Sequence, residues 1–240
     1  MLAENLESIQ TTITAAAARS GRSADGIELV AVSKSHPPEA VQEALDAGQL
    51  IFGESRVQEA LAKILQLPSR IRWHFIGHLQ KNKVRHALPL FELFHGIDSL
   101  ELAGDMNRIA EEVGAFPRVL LEVNAAGEAT KFGFTPDRVR AQMEPLLGLR
   151  RLQIEGLMTI APFAPEPEMS RRYFAALREL RDDLQTEFRV PLPRLSMGMS
   201  GDFAVAIEEG ATLVRVGTAI FGKRSGKGWR PSPRSDTNEL

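Results

Sequence analysis

Two spacings of apolar residues run through this chain, one typical of helix and one of strand. Leu2, Leu6, Ile9 and Ile13 fall on one helical stripe and predict an amphipathic helix over residues 1–20. Short apolar runs then recur near 28–33, 50–53, 72–76, 93–97, 118–123, 153–158, 194–198 and 213–216, and read as strands. Helical patterns separate them, among them Pro38 to Ala47, Val57 to Gln66, Leu100 to Val113 and Glu168 to Phe188. Pro37 and Pro38 suit a first helical turn, and Gly48 and Gly114 suit helix ends. Strand and helix in alternation imply a parallel sheet covered by helices, an α/β fold. Eight such units in 240 residues favour a single (β/α)8 TIM barrel with an extra N-terminal helix. No G-x-G-x-x-G follows a strand, which weakens a doubly wound dinucleotide-binding sheet. The expected division is a barrel over 1–222 and a flexible basic tail over 223–240, the latter carrying Lys223, Arg224, Lys227, Arg230 and Arg234.

Composition narrows the partners. A net charge of −2 offers no overall attraction to nucleic acid or to an anionic membrane. The absence of cysteine excludes disulfides, thiolate catalysis and Cys-ligated zinc. The first twenty residues carry Glu4 and Glu7 and lack the basic start and apolar core of a targeting signal. No apolar run approaches the ~18 residues of a membrane span. A cytoplasmic protein is expected, with neither nucleic acid nor membrane as a partner.

In such barrels the chemistry gathers at the carboxyl ends of the strands, and a phosphate site commonly follows strands seven and eight. The segment 195–222 fits that placing. Met199-Ser200-Gly201 follows the seventh predicted strand and Gly217-Thr218 the eighth, each opening into a helix-like segment. Unpaired N–H groups at such turns bind anions. Leu29 to Lys34 is an apolar strand ending in a lysine, where desolvation frees an amine for Schiff-base chemistry. A snorkelling or paired lysine is the plain alternative. Arg215 stands inside the strand Leu213 to Val216, where a charge needs a partner. It either faces a ligand or pairs with a carboxylate such as Glu28, Glu122 or Glu155. His74 and His78 have no third metal ligand in evidence, so no metal site is expected. Tyr173, the sole tyrosine, belongs to a helix expected on the outside of the barrel, and Asp202 is expected to open the helix after Ser200.

Ala31-Val32-Ser33-Lys34, Phe52-Gly53-Glu54, Val57-Gln58-Glu59, Trp73-His74-Phe75-Ile76-Gly77, Leu79-Gln80-Lys81-Asn82-Lys83, Gly156-Leu157-Met158 and the 195–222 segment occur in that order. Together they resemble the YggS/PROSC family of pyridoxal phosphate homeostasis proteins. The resemblance implies a barrel similar to the N-terminal domain of alanine racemase and pyridoxal 5'-phosphate (PLP) as the cofactor. It implies that Lys34 forms a Schiff base with PLP and that Ser200, with the backbone of Met199 and Gly201, binds the phosphate. Gly217 and Thr218 match the second phosphate turn, and Arg215 matches an arginine set against the pyridine nitrogen. The family usually has Asn-Tyr where this chain has Ser55-Arg56, which leaves Ser55 as a shorter stand-in for a cofactor contact. The implied function is intracellular PLP homeostasis without robust catalysis, by a monomer that passes PLP to PLP-dependent apoenzymes. A PLP-dependent amino-acid racemase and a Schiff-base aldolase are the alternatives on the same barrel.

Overall fold

In a computed structural model, residues 1–128, 131–223 and 229–231 are described. Eight parallel strands close into a barrel in sequence order: β1 (Glu28–Val32), β2 (Ile51–Glu54), β3 (Arg72–Phe75), β4 (Leu93–Ile97), β5 (Arg118–Glu122), β6 (Gln153–Met158), β7 (Arg194–Ser196) and β8 (Leu213–Val216). Closure is made by β1 against β8, with Glu28 opposite Leu213 and Ala31 opposite Val216. The strands begin and end within two residues of the positions read from the apolar runs. Helices cover the outside, including Pro38–Asp46, Val57–Ile64, Leu100–Val113 and Arg171–Phe188. The segment predicted from Glu168 starts as a 3-10 turn, Pro167–Ser170, and becomes α-helical only at Arg171. Two short helices after β5, Pro136–Ala141 and Met143–Leu147, escaped the sequence reading because neither is long enough to display a repeat.

The barrel interior is layered by the alternation of side chains along each strand. At its N-terminal mouth, six charged residues form a closed ring. Arg72 bonds Glu28 (3.0 Å) and Glu92 (2.8 Å), and Arg118 bonds Glu92 (2.7 Å) and Glu155 (2.6 Å). Arg194 completes it to Glu155 (2.9 Å) and Glu28 (2.5 Å). Above the ring lies an apolar layer of Val30, Ile51, Leu93, Leu120, Met158 and Leu213. Burying each such side chain stabilises the fold by about 1.5–3 kcal/mol. Strands β6 and β7 approach so closely that a Cβ on Gly156 would lie 1.8 Å from the Arg194 carbonyl oxygen, so only glycine fits there.

The opening helix, Leu2–Arg19, buries Leu2, Leu6, Ile9, Ile13, Ala16 and Ala17, the predicted stripe extended by one turn. Asn5 Nδ2 donates to the Ile220 carbonyl at 2.9 Å, which ties this helix behind the short helix Thr218–Phe221 that follows β8. Most of the predicted tail lies outside the described residues. Among the described residues of that segment, the Trp229 N–H donates to the Ser35 carbonyl at 2.8 Å, beside Lys34. Among the described residues no helix is long and apolar enough to cross a membrane.

Candidate functional site

A cavity of about 270 Å³ opens where β1, β7 and β8 end, lined by Lys34, Met199, Ser200, Gly201, Arg215, Gly217 and Thr218. Val32 and Ile76 form part of its apolar wall. Residues as far apart in sequence as Lys34 and Thr218 thus meet in one place because each follows or ends a neighbouring strand of the barrel.

Lys34 is half-buried on a turn whose two flanking residues are fixed from beneath. Ser33 Oγ donates to Glu54 Oε1 at 2.7 Å, and the Ser35 N–H donates to Glu59 Oε1. Lys63, fully buried, joins these supports: its Nζ donates to the Ser33 carbonyl (2.8 Å), Glu54 (2.7 Å) and Glu59 (2.9 Å). Trp229 covers the cluster, with Lys63 Nζ 5.2 Å from the ring centre. Ser35 holds a left-handed φ of +66°, a conformation a non-glycine residue keeps only when its surroundings enforce it. Burial pushes the Glu54 carboxyl upward, with Lys63 pulling against it. The sequence signal for this cluster was the Glu59–Lys63 spacing of four, which reads as an ordinary surface pair on a helix.

Arg215 points inward from β8 and is almost wholly buried. Its guanidinium donates to Ser196 Oγ and, at 2.8 Å, to the Thr159 carbonyl. Burial lowers it to about 10, which still leaves it charged at neutral pH. Ser196 Oγ lies 2.8 Å from His95 Nδ1, and His95 Nε2 lies 3.1 Å from His74 Nδ1. Burial holds both imidazoles below their ordinary range, His74 at about 4, so this relay is neutral. The carboxylate pairing considered for Arg215 is not what holds it. Glu28 and Glu155 are engaged in the basal ring, and Glu122 makes no hydrogen bond to it among the described residues.

The two turns after β7 and β8 interlock through Ser200. Its Oγ accepts long hydrogen bonds from the N–H groups of Gly217 (3.3 Å) and Ala219 (3.4 Å), at the start of the helix Thr218–Phe221. The Met199 N–H is already used: it donates to Asp202 Oδ1 at 2.7 Å. Asp202 thereby fixes the turn at the head of the helix Phe203–Glu208, and Met199 remains among the residues lining the cavity. No such bond engages the N–H of Ser200 or Gly201 among the described residues, and a Cβ on Gly201 would meet nothing. An amine, an anion cradle of N–H and hydroxyl groups, and a buried guanidinium in one small cavity fit a phosphorylated aldehyde with a ring between them.

Ser55 is not brought into this cavity. It lines a neighbouring one of about 310 Å³ with Arg56, Gln80 and Lys83. The reason is its packing under Gly77, where a Cβ would fall 2.6 Å from the Ser55 carbonyl oxygen, so the loop after β2 leans toward β3. His74 belongs to the interior relay, and His78 Nδ1 pairs with Asp98 at 2.8 Å. Among the described residues no three His, Asp or Glu side chains are grouped to hold a metal ion. Tyr173 lies on the outer helix Arg171–Phe188, with the Arg172 guanidinium 4.7 Å from its ring.

The family model described as "Alanine racemase, N-terminal domain" matches residues 5–225. A pyridoxal phosphate homeostasis protein of Aquifex aeolicus is 45% identical over 222 residues, covering 92% of this chain and 97% of that protein. PipY of Synechococcus elongatus, solved with PLP bound, is 40% identical and superposes with a TM-score of 0.80, covering 92% of this chain and all of PipY. An alanine racemase of Clostridium difficile, at 18% identity and a TM-score of 0.74, shares the fold; this chain covers 57% of its length.

Proposed function

Because this chain belongs to the family of pyridoxal phosphate homeostasis proteins, we propose that it binds PLP and carries it as a Schiff base on Lys34 without turning over substrates of its own. The observation that carries the reading is the convergence of Lys34, Arg215 and the Ser200 and Thr218 turns on one cavity. PLP supplies an aldehyde for the lysine amine and a phosphate for the turns; when bound, its ring also supplies an electron sink. In this reading Ser200, Gly201, Gly217 and Thr218 hold the phosphate, and the buried cluster of Glu54, Glu59 and Lys63 sets the Lys34 turn. Arg215, charged and backed by Ser196 and Thr159, faces the pyridine nitrogen and keeps it unprotonated, which weakens the electron sink. That favours storing the cofactor over carbanion chemistry. The protein would act in the cytoplasm as a monomer and deliver PLP to PLP-dependent apoenzymes.

The racemase alternative asks for bases on both faces of a substrate. Tyr173, on the outer helix, is not among the residues lining the cavity. The test mixes PLP-loaded protein, freed of excess cofactor, with a PLP-dependent apoenzyme. The expected result is recovery of that enzyme's activity and no interconversion of D- and L-alanine by the loaded protein alone. Racemisation well above that given by free PLP would replace the carrier reading with the racemase one.

A further inference from the structure

Among the described residues, the Glu122 carboxylate is buried without a hydrogen-bonding or ion-pair partner. On β5 the residues Arg118, Leu120 and Glu122 alternate and share the inner face. Arg118 sits in the basal charge ring and Leu120 in the apolar layer, so Glu122 is the inner residue nearest the C-terminal mouth. In a closed barrel of eight strands, β5 stands across from β1, which leads to Lys34. Glu122 is 9% exposed, and while its backbone carbonyl accepts from the Phe134 N–H, its carboxyl makes no hydrogen bond or ion pair with any described residue. Gly96 on β4 leaves it room: a Cβ there would lie 3.2 Å from Glu122 Oε2.

The charged groups that act on Glu122 are Asp98 after β4, His78 after β3 and Arg215 on β8. Burial and Asp98 raise its carboxyl to about 7, against the pull of Arg215 and His78. His78 and Asp98 are paired, and the exposed Phe132 ring stacks on His78 at 4.0 Å, forming a wall at the mouth. An unpartnered carboxyl poised near neutrality, with a second acid beside it, is suited to receive a cation and take a proton from it.

We propose that Glu122, with Asp98 beside it, is the entry subsite for the primary ammonium group of the compound that takes the cofactor from Lys34. The proposal rests on the reading that Lys34 holds PLP. The ammonium passes one proton to the Glu122 carboxylate, and its neutral nitrogen bonds to the imine carbon. The two protons left on the incoming nitrogen pass to Lys34 Nζ as the bond from that carbon to Nζ breaks, and the freed amine then takes up the proton that Glu122 held. The Lys34 amine returns as an ammonium and the acceptor leaves bound to the cofactor, with charge and protons conserved.

The test uses Glu122→Gln and the full chain, loaded and unloaded. PLP uptake on Lys34 is measured first by reduction and mass mapping. Exchange is then followed spectroscopically with glycine, and separately with Nα-acetyl-lysine, across pH 5–9 (roughly the window in which the acceptor subsite titrates). Glu122→Gln is expected to load Lys34 normally but to exchange about 100-fold more slowly with at least one acceptor. The acceptor that slows identifies a free amino acid or a lysine side chain as the source of the amine. Rates within about twofold of wild type for both acceptors, with an unchanged pH profile, would overturn the proposal. Should Glu122→Gln fail to fold, Asp98→Asn serves: losing that charge lowers the Glu122 carboxyl, so the exchange midpoint must move to lower pH, and an unmoved midpoint contradicts the assignment. On unloaded protein, methylammonium is expected to shift amide NMR signals around Glu122 in wild type and not in Glu122→Gln. Shifts that persist in the variant would count against the subsite. Failure of wild-type Lys34 to load PLP would instead remove the carrier reading, and the methylammonium titration would still judge the subsite.

Discussion

The two mouths of the barrel are both lined with charge, and they use it in opposite ways. At the N-terminal mouth Glu28, Arg72, Glu92, Arg118, Glu155 and Arg194 answer one another around a closed circuit, each bonded to two neighbours of opposite sign. At the C-terminal mouth the Arg215 guanidinium bonds to a hydroxyl and a carbonyl, the Glu122 carboxyl bonds to no described residue, and the N–H groups of Ser200 and Gly201 have no acceptor among the described residues. The side chains are of the same kinds; what differs is how many partners the fold supplies. A charge whose partners are complete closes off the barrel, and one whose partners are missing is available to a ligand. Lys63 belongs with the first kind although it lies near the second mouth: its three bonds hold the turn that carries Lys34.

The sharpest way to break this contrast is to remove a partner from the completed sets. Lys63→Met leaves Glu54 and Glu59 buried without their cation, and is expected to cost about 3–5 kcal/mol in urea unfolding. A loss below about 1 kcal/mol would show that the cluster does not support the Lys34 turn. Next in size are changes confined to the open mouth. Ser200→Ala with Thr218→Val removes two hydroxyls from the phosphate cradle and should weaken PLP by about 1.5–3 kcal/mol per lost charged hydrogen bond. Stability without PLP should fall by under about 1 kcal/mol, since the two hydrogen bonds that Ser200 accepts are long. Arg118→Met is the mirror experiment: stability falls by about 1–2 kcal/mol while PLP affinity holds, and an affinity loss as large as that of the cradle variant would erase the distinction.

The smallest effects are in pH, and they have opposite signs at the two mouths. The Arg72 hydrogen bond lowers the Glu92 carboxyl to about 2. The stability it contributes is present above the unfolded value near 4.5 and is lost as pH falls through 2. His74, held at about 4 by burial, likewise loses its contribution as pH falls from about 6.5 through 4. Glu122, raised to about 7, contributes fully below 4.5 and loses that contribution as pH rises through 7. Urea midpoints across pH should therefore lose their acid-side fall in part with Glu92→Gln, and their decline toward neutrality with Glu122→Gln. Identical profiles for the two variants would contradict the assignment.

The eight strands and the main outer helices were legible because short apolar runs and helical stripes impose periods that tertiary contacts then reinforce. That Lys34, Ser200, Gly201, Arg215, Gly217 and Thr218 would line one cavity was legible because each stands inside or just after such a run. Ser55 was read from the resemblance and from its position after the second strand, and the structure sets it in the neighbouring cavity, where the absence of a Cβ on Gly77 lets its loop lean toward β3. The basal ring was not read, since Arg72, Arg118 and Arg194 each look like an ordinary charge opening a strand until closure brings them within reach of Glu28, Glu92 and Glu155. Lys63 and Trp229 were hidden for the same reason, their meaning lying in contacts far apart in sequence.

The most direct test of the central claim is to load the protein with PLP, reduce it with borohydride and map the modified residue by mass spectrometry, for wild type and Lys34→Ala. One adduct on Lys34, absent from a folded Lys34→Ala protein, is the predicted result. No adduct, or adducts scattered over surface lysines in both proteins, would contradict it.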